Sequence, residues 1–197
     1  MAGYSKIVLR HYRKESRLHT LHWICIEAES PEQAAAQVKD NLSPNEYGYR
    51  MADWSDWHVV GGGRWNPDGD SYKDTVNMVV SYKDNPDKFK EVLSDIKKYR
   101  IEFMNKKLTV LDNAFNKLKS DIVDYISNDC KLNNDREFDF SRWEIKEAIT
   151  MLSSEWTPES SFFDNQEFTS KIQYLEERLD KPEEAVRQYL VPVDFHF

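Results

Sequence analysis

Glycine is scarce in this chain, six residues among 197, and three of the six stand side by side. One place therefore concentrates whatever need the backbone has for left-handed or tightly approached conformations. Cysteine is scarcer still. Cys25 and Cys130 are the only two and lack CxxC spacing, which excludes a zinc site or a disulfide framework and leaves two free thiols. No apolar run nears the roughly 18–20 residues of a membrane span, and Met1-Ala2-Gly3-Tyr4 leads into a short alternating segment rather than a signal peptide. A soluble, cytoplasmic protein without membrane contact is expected. Basic charge is thin towards the end: residues 155–184 hold three Lys/Arg against nine Asp/Glu, whereas residues 1–84 hold ten against twelve. A formal charge of -8 without a basic face disfavours nonspecific nucleic-acid binding and favours a basic partner.

What is present reads as two halves. With 40% hydrophobic residues, the chain can bury a core as one compact unit with an extension. Ser5–Tyr12 alternates as a strand, and Leu21–Ala28, rich in β-formers, forms a second; the basic Arg13–Arg17 connection makes the pair a hairpin with a basic tip. His19 and His22, three apart on a strand, point to opposite faces and cannot share a metal. Ser30 as N-cap, Pro31 at the first helical position and Glu32 in the first turn start a helix at Pro31, which Ser43-Pro44 ends. Ala34, Ala35, Val38 and Leu42 form its apolar face. Further strands are expected near Trp57 and over Thr75–Tyr82. The expected class is α+β: a small ferredoxin-like, antiparallel or mixed sheet with one covering helix in residues 1–84.

Residues 85–197 then read as a helical extension. Ile101, Met104, Leu108, Leu111, Phe115, Leu118, Ile122 and Tyr125 recur in steps of three and four along one long helix. Partner helices in the same chain are the first expectation for covering that stripe, and a homodimer through the long helix is the second. Ser141-Arg142-Trp143-Glu144 has the form of a capping box opening a helix to about Ser154, with Ile145 and Ile149 inward. Phe168, Ile172, Leu175 and Leu179 mark another helix. A last short one passes through Ala185 and Tyr189, before Val193, Phe195 and Phe197 alternate like an edge strand.

The chemistry concentrates at Asp53 to Trp65, which holds three of six tryptophans with the glycine triplet. Trp57, His58, Gly61, Gly62, Gly63, Arg64 and Trp65 are the candidate ligand-binding residues, because exposed backbone N–H groups beside an arginine fork can cradle an anion. The stretch is neither a Walker loop nor a dinucleotide fingerprint. The competing reading is a glycine bulge that lets Trp57 and Trp65 pack on one sheet. Asp53, Asp56 and His58 lack an activated nucleophile, so no catalytic residue, metal or cofactor is assigned. Asn66, Asp68 and Asp70 suggest calcium, but Ser71 and Asn77 stand where an EF-hand needs its glycine and bidentate acid, so a turn is expected.

Asp56-Trp57-His58-Val59-Val60-Gly61-Gly62-Gly63-Arg64-Trp65 resembles the D-W-x-x-[IV]-G-G-R-W signature of small proteins of phages and bacterial mobile elements, where a capped βα unit like Glu27–Leu42 often precedes it. The likeness covers residues 20–82 and departs by one extra glycine, which changes the loop length. That family has no established common activity, so the resemblance implies a phage-type origin and no chemistry. The expectation is a non-enzymatic binding protein in the host cytoplasm. Its acidic Glu176, Glu177, Glu183 and Glu184 would engage a basic surface on a host protein, such as a nucleic-acid-handling or defence enzyme, to inhibit or modulate it. Two alternatives stay open: a binder of, or enzyme on, a nucleotide or other phosphorylated small molecule at Gly61–Arg64, and a virion or scaffold component.

Overall fold

The computed structural model describes residues 19–44, 55–127, 143, 145, 146, 149 and 162–196. The chain is α+β. A mixed five-stranded sheet runs β2-β5-β1-β4, with β3 also on β5. The elements are β1 (His19–Glu27), α1 (Pro31–Leu42), β2 (Trp57–Val60), a 3-10 turn (Gly63–Trp65), β3 (Val80–Ser81), α2 (Pro86–Ser127), β4 (Phe162–Asp164), α3 (Ile172–Leu179), α4 (Pro182–Ala185) and β5 (Gln188–His196). The expected strand at Ser5–Tyr12, its basic tip, Asp53 and Cys130 lie outside the described residues.

β1 and β5 form the spine, antiparallel over nine paired positions from His19↔His196 to Glu27↔Gln188. β4 lies parallel to β1. On the other side of β5, β2 pairs as far as Val60↔Val193 and β3 resumes at Val80↔Leu190. Pro192 falls in the gap between them. Its carbonyl accepts from Gly61 N at 2.7 Å, so its missing N–H faces the same gap, where no ladder bond is required, and a central strand tolerates the proline.

Both faces of the sheet are covered. On one, Leu21, Trp23, Cys25, Phe162 and Leu190 pack with Phe89, Val92, Leu93 and Ile96 of α2 and with Ile172 and Leu175 of α3. Against the other lies α1, which buries Ala34, Val38 and Leu42 towards β1, β2 and β5. Its start is as the sequence predicts: Ser30 Oγ accepts from Gln33 N at 3.2 Å. Gln33 Oε1 in turn accepts from Glu29 N, a reciprocal cap.

Several expectations are corrected. β5 is no edge strand but the middle of the sheet, and Tyr189 belongs to it rather than to a helix. A strand covered on both faces shows a nearly continuous apolar run, here Leu190-Val191-Pro192-Val193, whose alternation carries no edge signal. A boundary at residue 84 would split this sheet. The compact units are instead Met1–Tyr99 with Pro158–Phe197, and Arg100–Thr157. Thr75–Val79 forms turns, and only Val80–Ser81 is strand. Phe168 sits outside α3, 74% exposed, at φ 51°. Trp143, Ile145, Lys146 and Ile149 are helical, with Ile149 exposed rather than inward.

Candidate functional site at the glycine corner

Where β2 ends, the chain turns back through three glycines of positive φ: Gly61 at 92°, Gly62 at 95° and Gly63 at 47°. Each also lies against a neighbour. A Cβ at Gly61 would stand 2.0 Å from Thr75 O, at Gly62 2.7 Å from Met78 Sδ, and at Gly63 2.6 Å from Asp194 Oδ2. The triplet is therefore required twice over, by conformation and by space. Past it, Trp65 N and Asn66 N donate to Gly62 O and Gly63 O, winding the 3-10 turn that buries Trp65.

The carboxylate at the centre is the protein's own. Asp194 on β5 is fully buried; its Oδ2 accepts from Arg64 N at 3.2 Å and its Oδ1 meets His19 Nδ1 at 3.0 Å. Burial pushes the Asp194 carboxyl above its ordinary range, opposed by the hydrogen bonds from His19 and the Arg64 amide and by the charges of those two residues. The loop's anion logic is thus partly occupied from within. A bound phosphate would meet a buried carboxyl beside it, which disfavours an anionic ligand whenever Asp194 is ionised.

Aromatic rings close round the pair. His19 lies edge-on to Trp57 at 5.4 Å, Trp65 at 6.2 Å and His196 at 4.9 Å between centroids. Trp57 stacks on His196 at 5.0 Å, with 12° between planes. His196 Nδ1 stands 3.4 Å from Asp56 Oδ2, outside hydrogen-bonding geometry, and Trp65 Nε1 is buried with no partner. Tyr72, exposed, lies 6.0 Å from Trp57. An imidazole held by a buried carboxyl keeps one tautomer, which fixes the role of its second nitrogen.

Of the sequence candidates, Trp57 and Trp65 thus converge on one histidine, and Gly61, Gly62, Gly63 and the Arg64 amide build the corner. The Arg64 side chain is exposed. His58 lies on the opposite face, its ring 5.9 Å from Phe195, because neighbours on a strand alternate. Sequence reasoning missed Asp194 and His196 and gave His19 no partner. The one available signal was Asp194 itself, a lone acid in an apolar strand. Asn66 and Asp70 form turns, accepting from Asp68 N and Tyr72 N. Among the described residues, no group of three or more His, Cys, Asp or Glu is placed to hold a metal ion.

The four acidic candidates lie elsewhere, on α3 and α4. Glu176, Glu177 and Glu183 are exposed and Glu184 half-buried. Glu176 pairs with Lys97, Glu177 accepts from Gln173, and Glu184 bridges to Lys181. Beneath them Arg178, buried, forms an ion pair with the fully buried Asp164. Burial works against the Arg178 charge, but the hydrogen bond to Asp164 and the charge of Asp164 outweigh it and raise the guanidinium further. Cys25 beside this pair is a free thiol. Burial pushes the thiol up, which favours its neutral form. Among the described residues, no helix is long and apolar enough to cross a membrane. No family model, curated protein or solved structure matches this chain.

Proposed function

We propose that this is a non-enzymatic binding protein of phage type, acting in the host cytoplasm. It presents the acidic surface of α3 and α4 to a basic surface on a host protein, such as a nucleic-acid-handling or defence enzyme, and modulates it. The observation that carries the reading is that Glu176 and Glu177 of α3 and Glu183 of α4 are exposed on anchored elements: Ile172, Leu175 and Arg178 of α3 and Ala185 of α4 are all buried. The bridges these acids make are readily exchanged. Lys97–Glu176 is a solvent-exposed pair and Lys181–Glu184 a partly exposed one; surface bridges of this kind contribute little, so a partner's cations can replace the lysines at little cost. Against the phosphorylated-ligand alternative stands Asp194 behind the glycine loop.

The test is capture from host lysate by the wild type and by the Glu176→Gln/Glu177→Gln/Glu183→Gln/Glu184→Gln variant, with mass spectrometry of what is retained. The expected outcome is one specific host protein, held by the wild type with an association rate that falls as salt rises and lost by the folded variant. Identical capture and identical kinetics in the two would remove the acidic surface as the interface.

A further inference from the structure

Between the buried Trp65 and the exposed Tyr72 the chain turns through Asn66-Pro67-Asp68-Gly69-Asp70. Of the six glycines, only Gly69 follows an aspartate or asparagine. The pair matters chemically, because an aspartyl carboxyl and the nitrogen of the next residue can close a succinimide ring, and a glycine has no Cβ to shield that nitrogen. The turn holds the nitrogen weakly. Gly69 N reaches Asn66 O at 3.5 Å, the outer limit of a hydrogen bond, and Asp68 is exposed. The glycine is also fixed by space. Asn66 is buried, its Oδ1 accepts from Asp68 N at 3.1 Å, and a Cβ at residue 69 would stand 2.5 Å from Asn66 Nδ2. A side chain that would protect the nitrogen is thus excluded by the residue that holds the turn.

We propose that Asp68–Gly69 is a modification site, at which the folded chain isomerises from an α-aspartyl to a β-aspartyl linkage. Gly69 N attacks Asp68 Cγ, the amide proton and the carboxyl hydroxyl leave together as water, and the succinimide forms. Water then adds to the ring's main-chain carbonyl, the bond from that carbon to Gly69 N breaks, and the nitrogen takes back a proton. The product has the atoms of the starting chain, so no oxidant, reductant or co-reactant other than water takes part. Its backbone runs through Asp68 Cβ and Cγ and is one atom longer, and the former main-chain carbonyl is a free carboxylate. The extra atom falls inside the turn, between Asn66, whose side chain caps it, and Asp70, whose Oδ1 accepts from Tyr72 N at 3.0 Å.

The test stores the full chain, folded, in warm neutral buffer and labels it at intervals with an isoaspartyl-specific carboxyl methyltransferase and labelled S-adenosylmethionine. Mapping of the tryptic peptide Trp65–Lys73 then places the label. In the wild type it should accumulate with time at residue 68. It should fall to background in Asp68→Glu, whose longer side chain must close a larger ring, and accumulate faster in Asp68→Asn, whose amide leaves as ammonia. Asp70, in the same peptide but followed by Ser71, should stay unlabelled. A stored wild type without label at residue 68, or labelled there only after unfolding in urea, would overturn the inference by showing that the turn protects the pair. Equal label in Asp68→Glu would overturn it as well, by placing the reaction at another residue.

Discussion

An alanine at position 63 would carry its methyl group 2.6 Å from Asp194 Oδ2 while holding φ near 47°. Both terms oppose it, and Gly63→Ala should cost about 2–3 kcal/mol. Gly61→Ala should cost more, because the obstacle there is the backbone carbonyl of Thr75 at 2.0 Å, which cannot rotate aside. Arg64→Ala, by contrast, removes an exposed side chain and keeps the amide that donates to Asp194. It should change stability by less than about 0.5 kcal/mol. Urea denaturation of the three variants checks the ranking; a costly Arg64→Ala beside a harmless Gly63→Ala would show that the corner is held by the arginine and not by close packing. The position of the corner was legible, since three adjacent glycines announce a constrained turn. Its chemistry was not. Asp194 and His19 are 175 residues apart, and no local pattern links a histidine at the start of one strand to an acid near the end of another.

Elements whose determinants are local were read correctly. The start of α1 rests on Ser30, Pro31 and Gln33, all within one turn, and capping needs nothing further away. β5 and α2 show the other case. Periodicity states which residues share a face but not what covers that face, so the stripe from Ile101 reads the same whether packed or open. The two ends of α2 differ for this reason alone. Phe89 is fully buried against the sheet, whereas Ile101 is 62% exposed. Phe89→Ala should therefore cost about 3–5 kcal/mol and Ile101→Ala less than about 1 kcal/mol. Tryptophan fluorescence during chemical unfolding reads both, because Trp23 and Trp65 lie in the same core as Phe89. Equal costs would show that the two ends of the helix are packed alike.

For the whole molecule, the order of the strands decides which pieces of chain can fold. β1, β2 and β3 all bond to β5, and β2 and β3 have no other partner among the described strands. Residues before α2 therefore hold three strands that cannot form a sheet until the last described residues arrive. Every residue of β5 but His196 is buried, so removing it would uncover the apolar surfaces of its neighbours on both faces. A fragment of residues 1–99 should accordingly lack a cooperative unfolding transition by circular dichroism, and so should residues 158–197, which contain β4, α3, α4 and β5. Mixed in equal amounts, the two should regain the sheet, since the nine-position register between β1 and β5 and the parallel pairing of β1 with β4 need no covalent connection between the fragments. The recovered complex should also lose its transition when Asp164→Leu is placed in the second fragment, because that leaves the buried Arg178 charge unpaired, at a cost of about 3–5 kcal/mol. A fragment 1–99 that unfolds cooperatively by itself would mean that β1, β2 and β3 find one another without β5, and a strand order with β5 between β1 and β2 would be wrong.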